Sequence, residues 1–465
     1  MRATVLWCAW LCAASVAAAE RPNVLLLMSD DLAATLGCYG HPLAKTPHLD
    51  RLAAEGVLFE RAYCQFPHCN PSRASLLSGL RPNVTRVTNN ADNLYVNRPG
   101  VMTLPRHFRE HGYATARCGK VFHLGVPSGL ESMDDPQAWD FGTPFRDERP
   151  YPPGRKSAVT VKTSKGNGLN WTETAERDEE LVDVQFAATA VKWLEERDAT
   201  RPFFLAVGFH RPHLPLVAPA RWFDQYPFAE VGLPEAPADD EADIPLPARN
   251  GSVPGYKLSA TPEQRRAAIR AYLACVSFID DQAGQVLNAL ERLRLRERTI
   301  VVFASDHGWH LGEHGLWHKR SLFEESARVP LLISAPGFST HGRRSVSLVE
   351  LLDLYPTLCD LCDLPTPPVV QGKSLRRLLE DPAAILHDAV FTEARRGPSV
   401  EYWGRSVRTL RWRYTEWNEG RDGVELYDHS VDPQEYANLA TDPRFSATVT
   451  ELRALLRDDR VRSLE

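Results

Sequence analysis

RPNVLLLMSDD, residues 21–31, is a short apolar run that ends in two adjacent carboxylates. A run this brief, with no polar alternation, reads as a strand buried on both faces; a membrane span needs about 20 apolar residues. The same texture returns in PFFLAVGFHRPH (202–213), TIVVFASDHG (299–308) and VPLLISAP (329–336). Helical patterns lie between these runs. TPHLDRLAAEGV (46–57) offers Thr46 as N-cap and Pro47 at the first helical position. PSRASLLSG (71–79) has Pro71 at its entrance and Gly79 near its exit. TLPRHFREHGYATARCGK (103–120) predicts a helix, a break at Gly112, a short strand and then Gly119-Lys120. Longer helices are expected over 179–197 and 261–293. Strands alternating with helices predict an α/β fold with a mostly parallel sheet flanked by helices, its site along the carboxyl edge.

The segments 124–178 and 212–255, rich in Pro, are expected as loop and Pro-rich connection. Beyond about residue 375, AVFTEA, SVRTLRWRYTEW and VELYDHSVDPQEYANLA predict short antiparallel strands, and TVTELRALLRD a terminal helix. The expected organisation is a signal at 1–19, a catalytic α/β domain at 20–374 and a smaller C-terminal α+β subdomain at 375–465.

The signal expectation rests on Arg2, the apolar stretch Val5 to Val16 and Ala17-Ala18-Ala19 before Glu20, the layout of a cleavable export sequence. Nothing later in the chain approaches a membrane span. With 43% hydrophobic and 25% charged residues in 465, disorder is excluded and a large core is available. Loss of Arg2 moves the formal charge from -6 to -7, which argues against general nucleic-acid affinity. Cys8 and Cys12 would leave with the signal, so Cys38, Cys64, Cys69, Cys118, Cys275, Cys359 and Cys362 remain. Seven is odd, so in an oxidising compartment one cysteine is unpaired, modified or shared with another chain.

Asp30, Asp31 and Asp306 stand at the ends of two strand patterns. Adjacent carboxylates at a buried strand end repel unless something positive is shared, and a divalent cation is the economical partner. Oxygen ligands favour calcium or magnesium over zinc. SDHGWHLGEHGLWHKRSLFEES adds His307, His310, His314 and His318. Such density fits a zinc site; the preferred reading is a polar loop with one or two working histidines, His310 and His318 lying at the surface. GKVFH (119–123) and HRPH (210–213) would add a cationic pocket beside the metal, suited to a tetrahedral anion.

With these motifs in place the chain resembles the type I sulfatases of the alkaline phosphatase superfamily, most closely the iduronate-2-sulfatase branch. Cys69-Asn70-Pro71-Ser72-Arg73 matches the signature Cys-X-Pro-Ser-Arg, and Gly119-Lys120 matches the second signature. SDDLAATLGCYG, GKVFH, FFLAVGFHRPH and SDHGWHLGEHGLWHK follow the order of the iduronate-type branch from about 22 to 335. The resemblance implies an alkaline-phosphatase-like fold and conversion of Cys69 to Cα-formylglycine by a formylglycine-generating or equivalent sulfatase-maturing enzyme. One hydroxyl of the hydrated aldehyde would attack sulfur and the other would drive sulfate release. It also implies one calcium ion held by Asp30, Asp31, Asp306, His307 and the modified residue 69. Arg73 and Lys120 would orient the nucleophile, His123 would act as base, and His210 and Lys319 would grip sulfate and help protonate the leaving oxygen. His213 is a neighbour of this set. Most sulfatases have Asn after the metal aspartate; His307 here is shared with the iduronate-type branch.

The expected substrate is a sulfated oligosaccharide or small sulfate ester, foremost a terminal uronate 2-O-sulfate. Phosphodiester or phosphonate hydrolysis on the same fold is the enzymatic alternative, and an inactive sulfated-glycan-binding protein the non-enzymatic one. Export implies the periplasm or medium in a bacterium, and the lysosome or medium in a eukaryote. In a eukaryote, Asn83, Asn170 and Asn250 open Asn-X-Ser/Thr acceptor sequences.

Overall fold

The structure is a computed structural model that describes residues 21–123, 134–143, 159–161, 168–175, 178–249, 260–397 and 401–462. The expected signal at 1–19 and the acceptor Asn250 lie outside the described residues.

The opening stretch forms the strand Asn23–Asp30 at the centre of a nine-stranded sheet. It runs parallel to Phe203–Pro212 on one side and to Thr299–Ser305 on the other. Period-two alternation sorts its apolar side chains between two cores. Leu25 and Leu27 join Leu205, Val207, Val301 and Phe303 under the helices Val182–Glu196 and Pro262–Arg292. Val24, Leu26 and Met28 join Phe204, Ala206, Val302 and Ala304 on the opposite face, with helices Cys69–Ser78 and Leu354–Leu361. Burial on both faces explains the absence of polar alternation, and each such side chain contributes about 1.5–3 kcal/mol.

Ala114–Gly119 continues the sheet parallel to the 203–212 strand. On the other flank the sheet departs from parallel: Leu331–Ser334 pairs antiparallel with both Thr299–Ser305 and Val57–Tyr63. Arg343–Glu350 then pairs parallel with Val57–Tyr63. The stretch expected as loop holds three strands among the described residues: Phe141–Gly142, parallel to Ala114–Gly119, and Val159–Val161 and Leu169–Thr174, the last pairing with Leu216–Pro219 inside the Pro-rich connection.

Local chemistry departs from expectation at two helix starts. Thr46 stands at the N-cap position, but its hydroxyl donates to Asp50 Oδ1 (3.0 Å) and accepts from the Gly37 N–H (2.9 Å). The first-turn N–H groups of His48 and Leu49 donate instead to the Asp280 carboxylate of the long helix, at 3.1 and 2.8 Å. The helix expected from Pro71 begins at Cys69, which places that residue in its first turn.

At the chain's end, Ala389–Arg396, Tyr402–Thr409, Trp412–Trp417 and Val424–Asp428 form a four-stranded antiparallel sheet. The helix Ser446–Arg462 packs Leu452 and Leu456 against Val407, Tyr414 and Leu426 of that sheet. The sheet is stitched to the nine-stranded sheet through Thr392 Oγ1, which donates to the Cys64 carbonyl at 2.9 Å, just past the Val57–Tyr63 strand. None of the seven described cysteines is joined in a disulfide. No helix among the described residues is long and apolar enough to cross a membrane.

Candidate active site

The carboxyl ends of the 23–30 and 299–305 strands lie side by side, so Asp30, Asp31, Asp306 and His307 meet in one buried pocket. Asp31 has φ 64, a left-handed conformation that costs a non-glycine residue on the order of 1 kcal/mol. Three bonds hold it there. Its N–H donates to Asp306 Oδ1 (3.2 Å), the next N–H, of Leu32, donates to Ser305 Oγ (3.0 Å), and Tyr272 Oη donates to its carbonyl (2.8 Å). Tyr272 and Ser305 are supports that carried no sequence signal.

Cys69, at the start of its helix, enters the same pocket. Its Sγ lies 3.4 Å from Asp30 Oδ1, 3.4 Å from His307 Nε2 and 3.1 Å from Lys319 Nζ. Ligand atoms of Asp30, Asp31, Cys69 and His307 fall within 4.8 Å of one another. Asp306 borders this group, its Oδ1 3.6 Å from His307 Nε2 and its Oδ2 accepting from Arg73 Nε at 2.8 Å. One turn along the helix from Cys69, Arg73 also reaches Asp30 (3.6 Å) and donates to the carbonyl of Val121 (3.0 Å).

The Gly-Lys pair is set by backbone crowding. The Lys120 N–H donates to the Gly208 carbonyl at 2.8 Å. A Cβ on Gly119 (φ 78) would lie 2.2 Å from that same oxygen, so only glycine fits. The chain then delivers Lys120 Nζ onto Asp30 Oδ2 and buries His123, whose two ring nitrogens make no hydrogen bond among the described residues. From the 203–212 strand, the His210 N–H donates to Asp183 Oδ1 (2.5 Å), and the His210 ring packs 4.8 Å from that of His213. His213 Nε2 lies 3.9 Å from Asp31 Oδ2. Lys319 contacts Asp31 and sits 5.7 Å over the Trp309 ring.

Of the histidines expected at the surface, His310 is buried, 1% exposed, with Nε2 2.6 Å from Ser321 Oγ. His318 is half-buried, edge-on to Trp309 at 4.9 Å. Both pair across the short hairpin of His310–Leu311 and Trp317–His318, which the C-terminal subdomain helps cover, so their polar sequence neighbours misrepresent their surroundings.

The electrostatics are uneven. Burial would raise the Asp30 carboxyl, but Lys120, His213, Arg73 and Lys319 together hold it well below the usual range. Burial and the neighbouring Asp30 push Asp31 well above it, with Lys319 opposing. Burial lowers His307, yet Asp306 prevails and lifts it to about 9. His123 falls to about 2 because burial and Lys120 disfavour its cation. Two carboxylates driven apart and an imidazole driven up mark a pocket of closely opposed buried charges. Asp31 Oδ2 accepts no hydrogen bond. Three aspartates and an imidazole with an unbonded buried oxygen suit a hard divalent cation.

Residues 22–364 match the sulfatase family. The chain belongs to that family. Residues 312–462 match the N-sulphoglucosamine sulphohydrolase C-terminal family. Iduronate 2-sulfatase of Mus musculus is 33% identical, over 94% of each chain. Among solved structures, a 2-O GAG sulfatase superposes with a TM-score of 0.75 at 28% identity, covering 96% of this chain and 93% of its own. Phosphonate monoester hydrolase of Agrobacterium radiobacter superposes at 0.79 with 25% identity, covering 95% and 96%. As a sulfatase, the protein is a sulfuric ester hydrolase with an alkaline-phosphatase-like fold.

Proposed function

We propose that this sulfatase removes a 2-O-sulfate from a terminal uronate of a sulfated glycan, using Cα-formylglycine formed from Cys69. The observation that carries the nucleophile is the environment of Cys69 Sγ, buried and within 3.4 Å of Asp30, His307 and Lys319. Burial and Asp30 would raise the thiol, but Lys319, Lys120 and His307 outweigh them and lower it. An anionic atom at this position is therefore stabilised, as the attacking oxygen of a hydrated aldehyde must be. Sγ stands in for that oxygen.

Asp30, Asp31, Asp306, His307 and the modified residue 69 would hold one divalent cation, calcium by donor preference. When bound, it would favour the ionised form of the attacking hydroxyl. Arg73, clamped by Asp306 and Asp30, fixes the helix start that carries residue 69. Lys120 neutralises Asp30. His123, kept neutral and unbonded, is suited to take the proton from the second hydroxyl as sulfate departs. Lys319, raised against its burial by Asp31, Cys69 and Asp30, stays protonated and can donate to the leaving oxygen. His210, which burial and Arg211 keep neutral, would grip the sulfate beside it.

The uronate part of this reading is supported by the relatives: one is an iduronate 2-sulfatase and a structural neighbour is a 2-O GAG sulfatase. In the same reading residues 1–19 direct export, 20–374 form the catalytic unit and 375–465 the C-terminal subdomain, and a sulfatase-maturing enzyme oxidises Cys69 before folding. The phosphonate monoester hydrolase neighbour motivates the alternative of phosphoryl chemistry.

Two measurements test the proposal. Peptide mass spectrometry of active enzyme should find aldehyde or hydrate at residue 69; an intact thiol in fully active protein would sink the mechanism. A panel of defined saccharides should show non-reducing-end iduronate 2-sulfate cleaved faster than glucosamine 6-sulfate. Reversed or equal preference would remove the uronate claim, and faster phosphonate or phosphodiester turnover would favour the alternative.

A further inference from the structure

A second set of buried donors lies where the 310–318 hairpin meets the C-terminal subdomain. His314, 2% exposed, stacks on Phe323 with ring centres 4.1 Å apart and points Nδ1 at Asp240 Oδ2, 3.2 Å away. In the neutral ring a carboxylate on Nδ1 holds the proton there and leaves the Nε2 lone pair for an ion, the arrangement in which metal-bound imidazoles are held. Nε2 makes no hydrogen bond. Ligand atoms of His314, Glu325 and Glu435 lie within 4.8 Å of one another.

Two further buried atoms face the same space. Glu325 Oε2 is unbonded, and so is His310 Nδ1, which lies 4.0 Å from it and 3.8 Å from Glu313 Oε2. Positive charge is scarce. Arg413 and His429 are engaged by Glu435, and Arg413 is shared with Glu324. Among the described residues, Asp240, Glu313 and Glu325 form ion pairs with histidines and with no arginine or lysine.

We propose that His314, Glu325 and Glu435, with His310 at the margin, form a second divalent-cation centre, separate from the one at Asp30 and His307. Imidazole combined with carboxylate selects a borderline transition ion, for which zinc is the representative, over calcium. Its position gives it a structural task. His314 and Glu325 flank Lys319 in sequence, and the backbone beside Glu325 receives the N–H groups of Gly308 (2.9 Å, at Ser326) and Trp309 (2.7 Å, at Glu325). An ion here ties both limbs around Lys319 to Glu435, so the C-terminal subdomain helps position the catalytic lysine.

The competing state is a metal-free imidazolium at His314 between Asp240 and Glu325, and cobalt uptake separates the two. Full-length Asp31→Asn protein, in which the catalytic cation site is disabled, is stripped with a chelator and titrated with Co2+. The expected result is about one bound equivalent with the intense visible bands of a low-coordinate ion, displaced by Zn2+ and accompanied by a rise in Tm. Adding Glu325→Gln or His314→Gln should abolish the bands. Absence of saturable uptake by the Asp31→Asn protein overturns the proposal, as does full retention of the bands in either double variant. Should the double variants not fold, wild-type uptake limited to a single equivalent overturns it by itself.

Discussion

Two buried clusters of similar composition differ in how their charges close. In the catalytic pocket, Asp30, Asp31, Asp306 and His307 leave Asp31 Oδ2 unbonded and His123 without a partner among the described residues. Under the C-terminal sheet, Glu350, Asp353 and His387 also bring ligand atoms within 4.8 Å of one another. There, however, every carboxylate oxygen is used. Arg81 donates twice to Glu350 (2.9 and 2.7 Å), and the Phe391 N–H adds a third bond (3.0 Å). Asp353 accepts from the Glu350 N–H (2.8 Å), the Lys373 N–H (2.7 Å) and His387 Nε2 (2.9 Å). The closed cluster satisfies its own charges; the open one leaves buried donor atoms unsatisfied, as the proposed cation and substrate site requires. Residue type alone does not distinguish them, whereas the count of satisfied atoms does.

The largest expected effect breaks the open cluster. Asp31→Asn preserves shape and tolerates the left-handed backbone that residue 31 adopts, but removes a charge. Activity should fall by about 10^3-fold or more, as when a preorganised catalytic charge is lost. The metal-free protein should melt a few degrees higher, because repulsion with Asp30 is relieved. Loss of activity with a lowered melting temperature would mean that Asp31 is structural. Cys69→Ser sharpens the same point from the nucleophile's side: it keeps one hydroxyl, lacks the second, and should accept sulfate once and stop, which intact-mass analysis reads directly. Sustained turnover would refute that.

The mirror experiment breaks the closed cluster. Glu350→Gln leaves Arg81 with a neutral partner and should cost about 3 kcal/mol of stability, the scale for opening a buried pair. Catalytic turnover of the folded fraction should stay within about threefold of wild type, since nothing in this cluster touches the pocket. Denaturation midpoints and kcat measured on one preparation decide it. A fall in kcat matching that of Asp31→Asn would erase the distinction between the clusters.

What the sequence revealed follows the same division. The strand ends with Asp30 and Asp306, the Gly119-Lys120 turn and the 210–213 histidines were legible because strand, turn and donor are contiguous. Val57–Tyr63 and Arg343–Glu350 carried no clear signal, since mixed polarity suits the outer flank of the sheet, beyond the antiparallel Leu331–Ser334. His310 was misread because Ser321 and Phe323 pack against it, and neither is near it in the local pattern. Tyr272 and Asp183 were invisible for the same reason: each acts on the site from within a helix whose periodicity explains it as core.

The smallest expected effect concerns pH and the closed cluster alone. Burial would lower His387, but the hydrogen bond and charge of Asp353, with Glu350 adding, raise it above its ordinary value of about 6.5. A histidine whose folded pKa exceeds its unfolded one binds its proton more tightly in the native state. Its contribution is therefore complete below about pH 6.5 and is lost as pH rises through the higher folded value. Replacing it with asparagine removes that dependence. The stability difference between wild type and His387→Asn, from urea unfolding at several pH values, should be on the order of 1 kcal/mol in acid, the scale of one charge-assisted hydrogen bond, and shrink as the solution becomes alkaline. A difference that grows with pH would show that His387 is held neutral, and that Asp353 is satisfied by backbone N–H groups without needing the imidazolium.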